Sequence, residues 1–159
     1  MKKILLLIFA LIFINLFPGL TKTSFAQSTT TMQDIIESVN SKVSDLEDKQ
    51  NQEVVNITMD LLVNNGEKNV YRFLDPAFKY DVLVIGDRRI SKLKIKVYKQ
   101  GKRDLEAVDE FSSAKPLLRI EPTEYAQYQF TVSADEFKTG ENTGHFALLL
   151  YHKNPERDK

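Results

Sequence analysis

The chain has 159 residues, with 22 Lys and Arg against 22 Asp and Glu, and no cysteine. A balanced charge argues against nucleic acid or a generic anionic surface as partner. Without a thiol there is no disulfide, no Zn–thiolate site and no cysteine nucleophile, so stability must come from an apolar core.

Lys2 and Lys3 precede an apolar run from Ile4 to Phe17, which Pro18-Gly19 closes, and Ser24-Phe25-Ala26 supplies small residues beyond it. A positive end, a short apolar middle and a small-residue exit describe a secretory signal peptide over residues 1–26. The run has 14 residues, short of the roughly 20 that span a bilayer, so cleavage is expected rather than an integral span. Removing residues 1–26 leaves 133 residues with 19 basic and 22 acidic side chains, enough for one slightly acidic domain. Residues 27–31 (QSTTT) form a polar leader.

In the next segment Met32, Ile35, Ile36, Val39, Val43 and Leu46 recur at three- and four-residue steps, the mark of one helical face. Thr31 is the expected N-cap, Asp34 suits the first turn, and Asp45 can pair with Lys49. Residues 27–52 thus read as leader plus amphipathic helix. About two heptads are too few for a coiled coil, which favours a helix laid against its own domain.

From Glu53 the period drops to two. Val55, Ile57, Met59, Leu61 and Val63 alternate with Asn56, Thr58 and Asp60, and are expected to face inward; Asn64-Asn65-Gly66 is read as a turn. Further short runs follow at Val70–Leu74, Phe78–Val84, Leu93–Val97, Leu105–Val108, Leu117–Ile120, Tyr128–Val132 and His145–Tyr151, parted by Pro and Gly turn signals. About eight strands with no helix between them predict a mainly β fold, an antiparallel β-sandwich or jelly roll over residues 53–152, with a charged tail at 153–159.

The densest basic run contains Arg88, Arg89, Lys92, Lys94, Lys96 and Lys99. With Leu93, Ile95 and Val97 inward, its lysines point outward beside Tyr98. Arg88, Arg89, Lys92, Lys94, Lys96 and Tyr98 are therefore the candidate binding surface, although Asp104, Glu106, Asp109 and Glu110 follow closely enough to neutralise it across strands. His145 and His152, an odd number apart on one strand, fall on opposite faces and cannot share a metal. No G-x-S-x-G, H-E-x-x-H, P-loop or calcium-loop spacing occurs. Asp109-Glu110 and Asp135-Glu136 are adjacent on strands, so their carboxylates diverge instead of forming a facing catalytic pair. A hydrolase would need a histidine beside a hydroxyl and a carboxylate in a cleft. Neither catalytic residues nor cofactors nor metals are predicted.

The segments YDVLVIGDRRISKLKIKVY, PLLRIEPTEYAQYQFTV and GHFALLLYH together resemble the bacterial pre-peptidase C-terminal domain family. That resemblance implies a secreted β-sandwich of the kind appended to exported enzymes, here expected as a free-standing form without a peptidase. Some members hold calcium with acidic residues after the Gly-Asp turn. This chain has Ser91-Lys92-Leu93-Lys94 there, with Asp87 alone of the acidic set, so no calcium site is implied; Ala126-Gln127-Tyr128 also lacks the family's Gly. The expectation is an exported, periplasmic or extracellular, non-enzymatic module binding an envelope or extracellular protein or glycan through its sheet surface. The alternative is an envelope assembly accessory that docks, or weakly homodimerises, through its helix.

Overall fold

The computed structural model describes residues 31–101 and 105–155. The expected signal peptide, most of the polar leader, residues 102–104 and the end of the charged tail lie outside them. Helix α1 (Thr31–Ser44) runs into a π-helical turn at Asp45–Lys49. Eight strands follow: β1 (Gln52–Val63), β2 (Glu67–Leu74), β3 (Tyr80–Gly86), β4 (Ile90–Gln100), β5 (Leu105–Ser113), β6 (Leu117–Ile120), β7 (Ala126–Phe137) and β8 (Thr143–Lys153). They pair antiparallel in two four-stranded sheets, ordered β1-β8-β3-β6 and β2-β7-β4-β5. The predicted mainly β sandwich, preceded by one helix, is what forms.

Consecutive strands almost always change sheet; β4 and β5 are the one sequential pair that share an edge. The Asn64-Asn65-Gly66 turn accordingly makes a corner rather than a hairpin. Asn65 takes φ 59°, the left-handed region Asn tolerates, and the Gly66 N–H donates to the Val63 carbonyl at 2.9 Å. At the next corner the Asp75 carboxylate accepts the Ala77 N–H at 2.8 Å and Pro76 halts pairing.

The apolar alternation becomes a core between the sheets. Leu93, Ile95 and Val97 of β4, Phe130 and Val132 of β7, Val82 and Val84 of β3, and Phe146 and Leu148 of β8 are fully buried there. A second cluster lies on the opposite face of the first sheet, where Ile35, Val39 and Leu46 pack on Leu83, Ile85, Ala147, Leu149 and Tyr151. Strands β3 and β8 are thus covered on both faces, which explains why VLVI and FALLLY read as unbroken apolar runs. Ile35, Val39 and Leu46 of the helical stripe are spent on the chain's own sheet, while Met32 and Ile36 stay partly exposed.

One strand departs from expectation. Val55, Ile57, Met59, Leu61 and Val63 point outward and are 37–48% exposed, while Asn56, Thr58 and Asp60 turn toward the other sheet. Register settles the parity: Ile57 and Met59 lie opposite Leu149 and Ala147 on the helix-bearing face, and Thr58 opposite inward Leu148. The physical reason is partnering at the sandwich margin. Arg72 and Lys68 of β2 reach across to Thr58 and Asp60, with Lys68 Nζ 2.9 Å from Asp60 Oδ2, so the polar groups are partnered at a margin that stays open to solvent.

Replacing Phe146 by Ala should lower the unfolding free energy by about 3–5 kcal/mol, because a ring wholly enclosed between the layers leaves a cavity. Leu117→Ala, at a residue 48% exposed, should stay within about 0.5 kcal/mol. Urea denaturation of both variants checks the contrast.

Candidate functional site

The six residues singled out from sequence do not form one patch. Arg88 and Arg89 sit in the β3–β4 turn, whereas Lys94, Lys96 and Tyr98 line the outward face of the β2-β7-β4-β5 sheet, opposite Ser133, Thr131 and Gln129. The cations are matched by carboxylates from neighbouring elements. Lys94 Nζ lies 3.4 Å from Asp135 and 3.6 Å from Glu110, Lys96 lies 3.4 Å from Glu67, and Lys92 lies 4.0 Å from Asp135. Arg88 reaches Asp34 on the helix at 3.6 Å. Hydrogen bonding to Asp135 raises the Lys94 ammonium above its ordinary value. Partial burial pushes the Asp135 carboxyl up, but the Ser112 hydroxyl and Lys94 outweigh it and leave it lowered. The basic stripe is therefore one half of an interstrand charge ladder.

The same face carries a different feature beyond the lysines. Phe73, 58% exposed at the end of β2, stacks on Tyr125, 66% exposed in the β6–β7 connection, with ring centroids 5.4 Å apart and planes 11° from parallel. Exposed Tyr71 and half-buried Tyr98 extend the aromatic set along the face. Between them runs a polar row: Gln129 Nε2 donates to Thr131 Oγ1 at 3.0 Å and to Asn69 Oδ1 at 3.3 Å, and Thr131 donates to Asn69 at 2.8 Å. An open cleft of about 660 Å³ follows the stacked pair, lined by Phe73, Lys99, Glu124, Tyr125 and Gln127. Strand parity picks out Tyr98 but not the Phe73–Tyr125 pair, whose members lie on segments that meet only when β2 joins β7. Its one local signal was Tyr71 and Phe73 sharing the parity of Asn69.

A second polar cluster surrounds Asp87, whose side chain is fully enclosed. Its Oδ1 accepts the Arg89 N–H at 2.9 Å; its Oδ2 accepts the His145 N–H at 2.8 Å and Arg89 Nη2 at 2.9 Å. Gly144 makes room for this corner, since a Cβ there would stand 2.5 Å from Ile90 and 3.1 Å from Asp87. Burial alone would push the Asp87 carboxyl up, but the Arg89 guanidinium and the two N–H donors hold it below the ordinary carboxylate range.

His145 joins the cluster and brings a hydroxyl beside a histidine and a carboxylate. Thr31 Oγ1 is 3.1 Å, Arg89 Nη2 3.3 Å and Asp87 Oδ2 3.5 Å from His145, all at Nδ1. An acyl-transfer relay needs the carboxylate on one ring nitrogen and the hydroxyl on the other. Here all three crowd the same nitrogen, and the guanidinium can only donate to it. The arrangement fastens the start of α1 to β8 and the β3–β4 turn. Thr31 thus spends its hydroxyl on His145 rather than on a helix cap. His152 lies on the opposite face of β8, as expected, stacked on Phe78 with centroids 4.2 Å apart. Among the described residues no group of three His, Cys, Asp or Glu is placed to hold a metal, and no helix is long and apolar enough to cross a membrane.

No family model matches the chain, and no curated protein matches it. Among solved structures, the Yersinia pseudotuberculosis-derived mitogen is similar at 7% identity and TM-score 0.43, covering 60% of this chain and 82% of the other. A protein of the disulfide-linked pili that form Bacillus endospore appendages is similar at 12% identity and TM-score 0.29, covering 61% and 88%.

Because Asp87 is held ionised, its stabilisation is present above the ordinary carboxylate range and is lost as pH falls through its depressed native value. Asp87→Asn should cost about 3 kcal/mol at neutral pH, stranding half-buried Arg89. It should also flatten the acid limb of a stability-against-pH curve, measured by thermal denaturation between pH 2 and 7.

Proposed function

We propose that this protein is an exported, non-enzymatic binding module, acting in the periplasm or outside the cell, that holds a glycan on the outward face of its β2-β7-β4-β5 sheet. The carrying observation is the stacked, exposed Phe73–Tyr125 pair beside the Asn69–Gln129–Thr131 row. Flat aromatic faces pack against the apolar faces of pyranose rings, and the Asn69 and Gln129 amides, oriented by the buried Thr131 hydroxyl, match sugar hydroxyls in both donor and acceptor roles. Tyr98 belongs to this surface. The lysines beside it, already engaged by Glu67, Glu110 and Asp135, set the shape of the face rather than attract an anion. The resemblance to pre-peptidase C-terminal domains supports the same reading, since those are secreted accessory sandwiches. The Lys2–Ala26 pattern supports export.

A glycan array probed with the purified protein, followed by calorimetry on the best oligosaccharide, tests the assignment. Phe73→Ala and Tyr125→Ala should each weaken binding about tenfold, the equivalent of ~1.4 kcal/mol. Lys94→Ala should leave it within about twofold, given the discount that surface ion pairs carry. Absence of binding across the array, or equal losses from all three variants, refutes the reading.

A further inference from the structure

The sandwich has four sheet edges, at β1, β6, β2 and β5. Exposed edges offer unpaired N–H and C=O groups, and proteins that stay monomeric blunt them with brevity, charge, proline or bulges. Three of these edges are blunted. Strand β6 has four residues, set between Pro116 and Pro122, with Arg119 bonded to Asp81. Along β2, the Arg72 guanidinium donates back to the Tyr71 carbonyl at 2.6 Å, and Glu67 and Lys68 add charge. Strand β5 presents Asp109 and Glu110 opposite a bulge at Val97/Tyr98.

Edge β1 is different. It runs for 12 residues, pairs with β8 along one side with its bulge confined to Val54–Asn56 at the start, and after Glu53 carries one charged residue, Asp60. Asp60 Oδ1 accepts the Leu61 N–H at 2.7 Å, so that N–H points away from β8 and makes do with its neighbour's side chain. Strand alternation then puts the N–H and C=O of Ile57 and Met59 on the same free edge. The outward face of this edge is the apolar row Val55, Ile57, Met59, Leu61 and Val63. The row continues onto the flank of α1 that turns toward β1. Glu47 on that flank accepts the Val54 N–H, Val43 and Val54 both pack against the helix-side cluster, and Met32 and Ile36, each 39% exposed, share the flank by helical spacing.

We propose that the occupant of this edge is a second copy of the chain, whose β1 pairs antiparallel with β1 about a two-fold axis through Met59. The sequence of the strand is self-complementary in that register. Met59 meets Met59 and Ile57 meets Leu61 on one face, within the regular stretch that follows the bulge at Val55, so the apolar row is continuous across both copies. On the other face Asp60 meets Thr58 and Asn56 meets Leu62, and no like charges are opposed. A two-fold through Ile57 would instead set Glu53 against Leu61 on the apolar face. The residues with free edge groups, Ile57, Met59 and Leu61, are those that exchange hydrogen bonds about Met59. The Leu61 N–H leaves Asp60 for the Ile57 carbonyl of the other copy, and two four-stranded sheets join as one of eight. This surface lies on the sheet opposite the proposed glycan face and stands or falls independently of it.

Sedimentation velocity over a concentration series should show the purified protein dimerising reversibly. Met59→Lys and Met59→Asp should each be monomeric with unchanged circular dichroism, because each sets like charges against each other on the axis. Their equimolar mixture should regain a dimer at least tenfold tighter than either alone. The native chain has no cysteine, so a single introduced thiol reports register without interference. Met59→Cys should form a disulfide dimer on mild oxidation, since an antiparallel hydrogen-bonded pair holds Cα atoms about 5.5 Å apart, inside the disulfide range. Ile57→Cys, more than ~10 Å from its own counterpart, should not. A protein monomeric at every concentration, a dimer indifferent to Met59→Lys, or equally fast cross-linking at both positions overturns the proposal.

Discussion

The double burial of β3 and β8 is the constraint on which the other features depend. Leu148, Val82 and Val84 face the second sheet, while Leu149, Leu83 and Ile85 face the helix. Without cysteine, the apolar area enclosed at these two interfaces is what opposes chain entropy. The helix is therefore an outer layer of the domain, closing a face that would otherwise be a wide hydrophobic surface. The Asp87 cluster makes sense in the same light. It sits where α1 begins, where β3 ends and where β8 enters the sheet, and it ties all three with a satisfied, enclosed carboxylate.

The two sheets divide the labour. The β2-β7-β4-β5 sheet shows the solvent a face of paired charges, amides and exposed aromatics, suited to contact with a polar, ring-shaped ligand. The other sheet is capped by its helix over β3 and β8, whereas β1 is met only at Val54 and lies open beyond it. Polar groups on the inner side of β1 find partners on β2, and this allows its apolar residues to face outward at no cost in unpaired groups.

How much of this was readable beforehand depends on which question periodicity can answer. Three- and four-residue spacing from Met32 to Leu46 placed the helix, and alternation at Lys92–Val97 assigned both faces of β4. Alternation says which residues share a face; it does not say which face is inside. In β4 charge broke the tie. In β1 the apolar residues suggested the wrong answer, because Lys68 and Arg72, which partner the polar positions at the open sandwich margin, lie beyond a turn that changes sheets. The aromatic pair and the Asp87 cluster were illegible for a related cause. Their members are 52 and 58 positions apart, for Phe73–Tyr125 and Asp87–His145 respectively, and sheet order, which periodicity does not encode, brings them together.

The pairing of β1 with β8 joins the first strand to the last. Since nearly every neighbouring strand in space is distant in sequence, few contacts can form locally, and high contact order implies folding in milliseconds to seconds rather than microseconds. A nascent chain must keep its opening strand unsatisfied until Thr143–Lys153 has emerged. The sandwich thus comes together late and all at once, and a truncation that cuts into Thr143–Lys153 would remove the strand that links both halves of its first sheet.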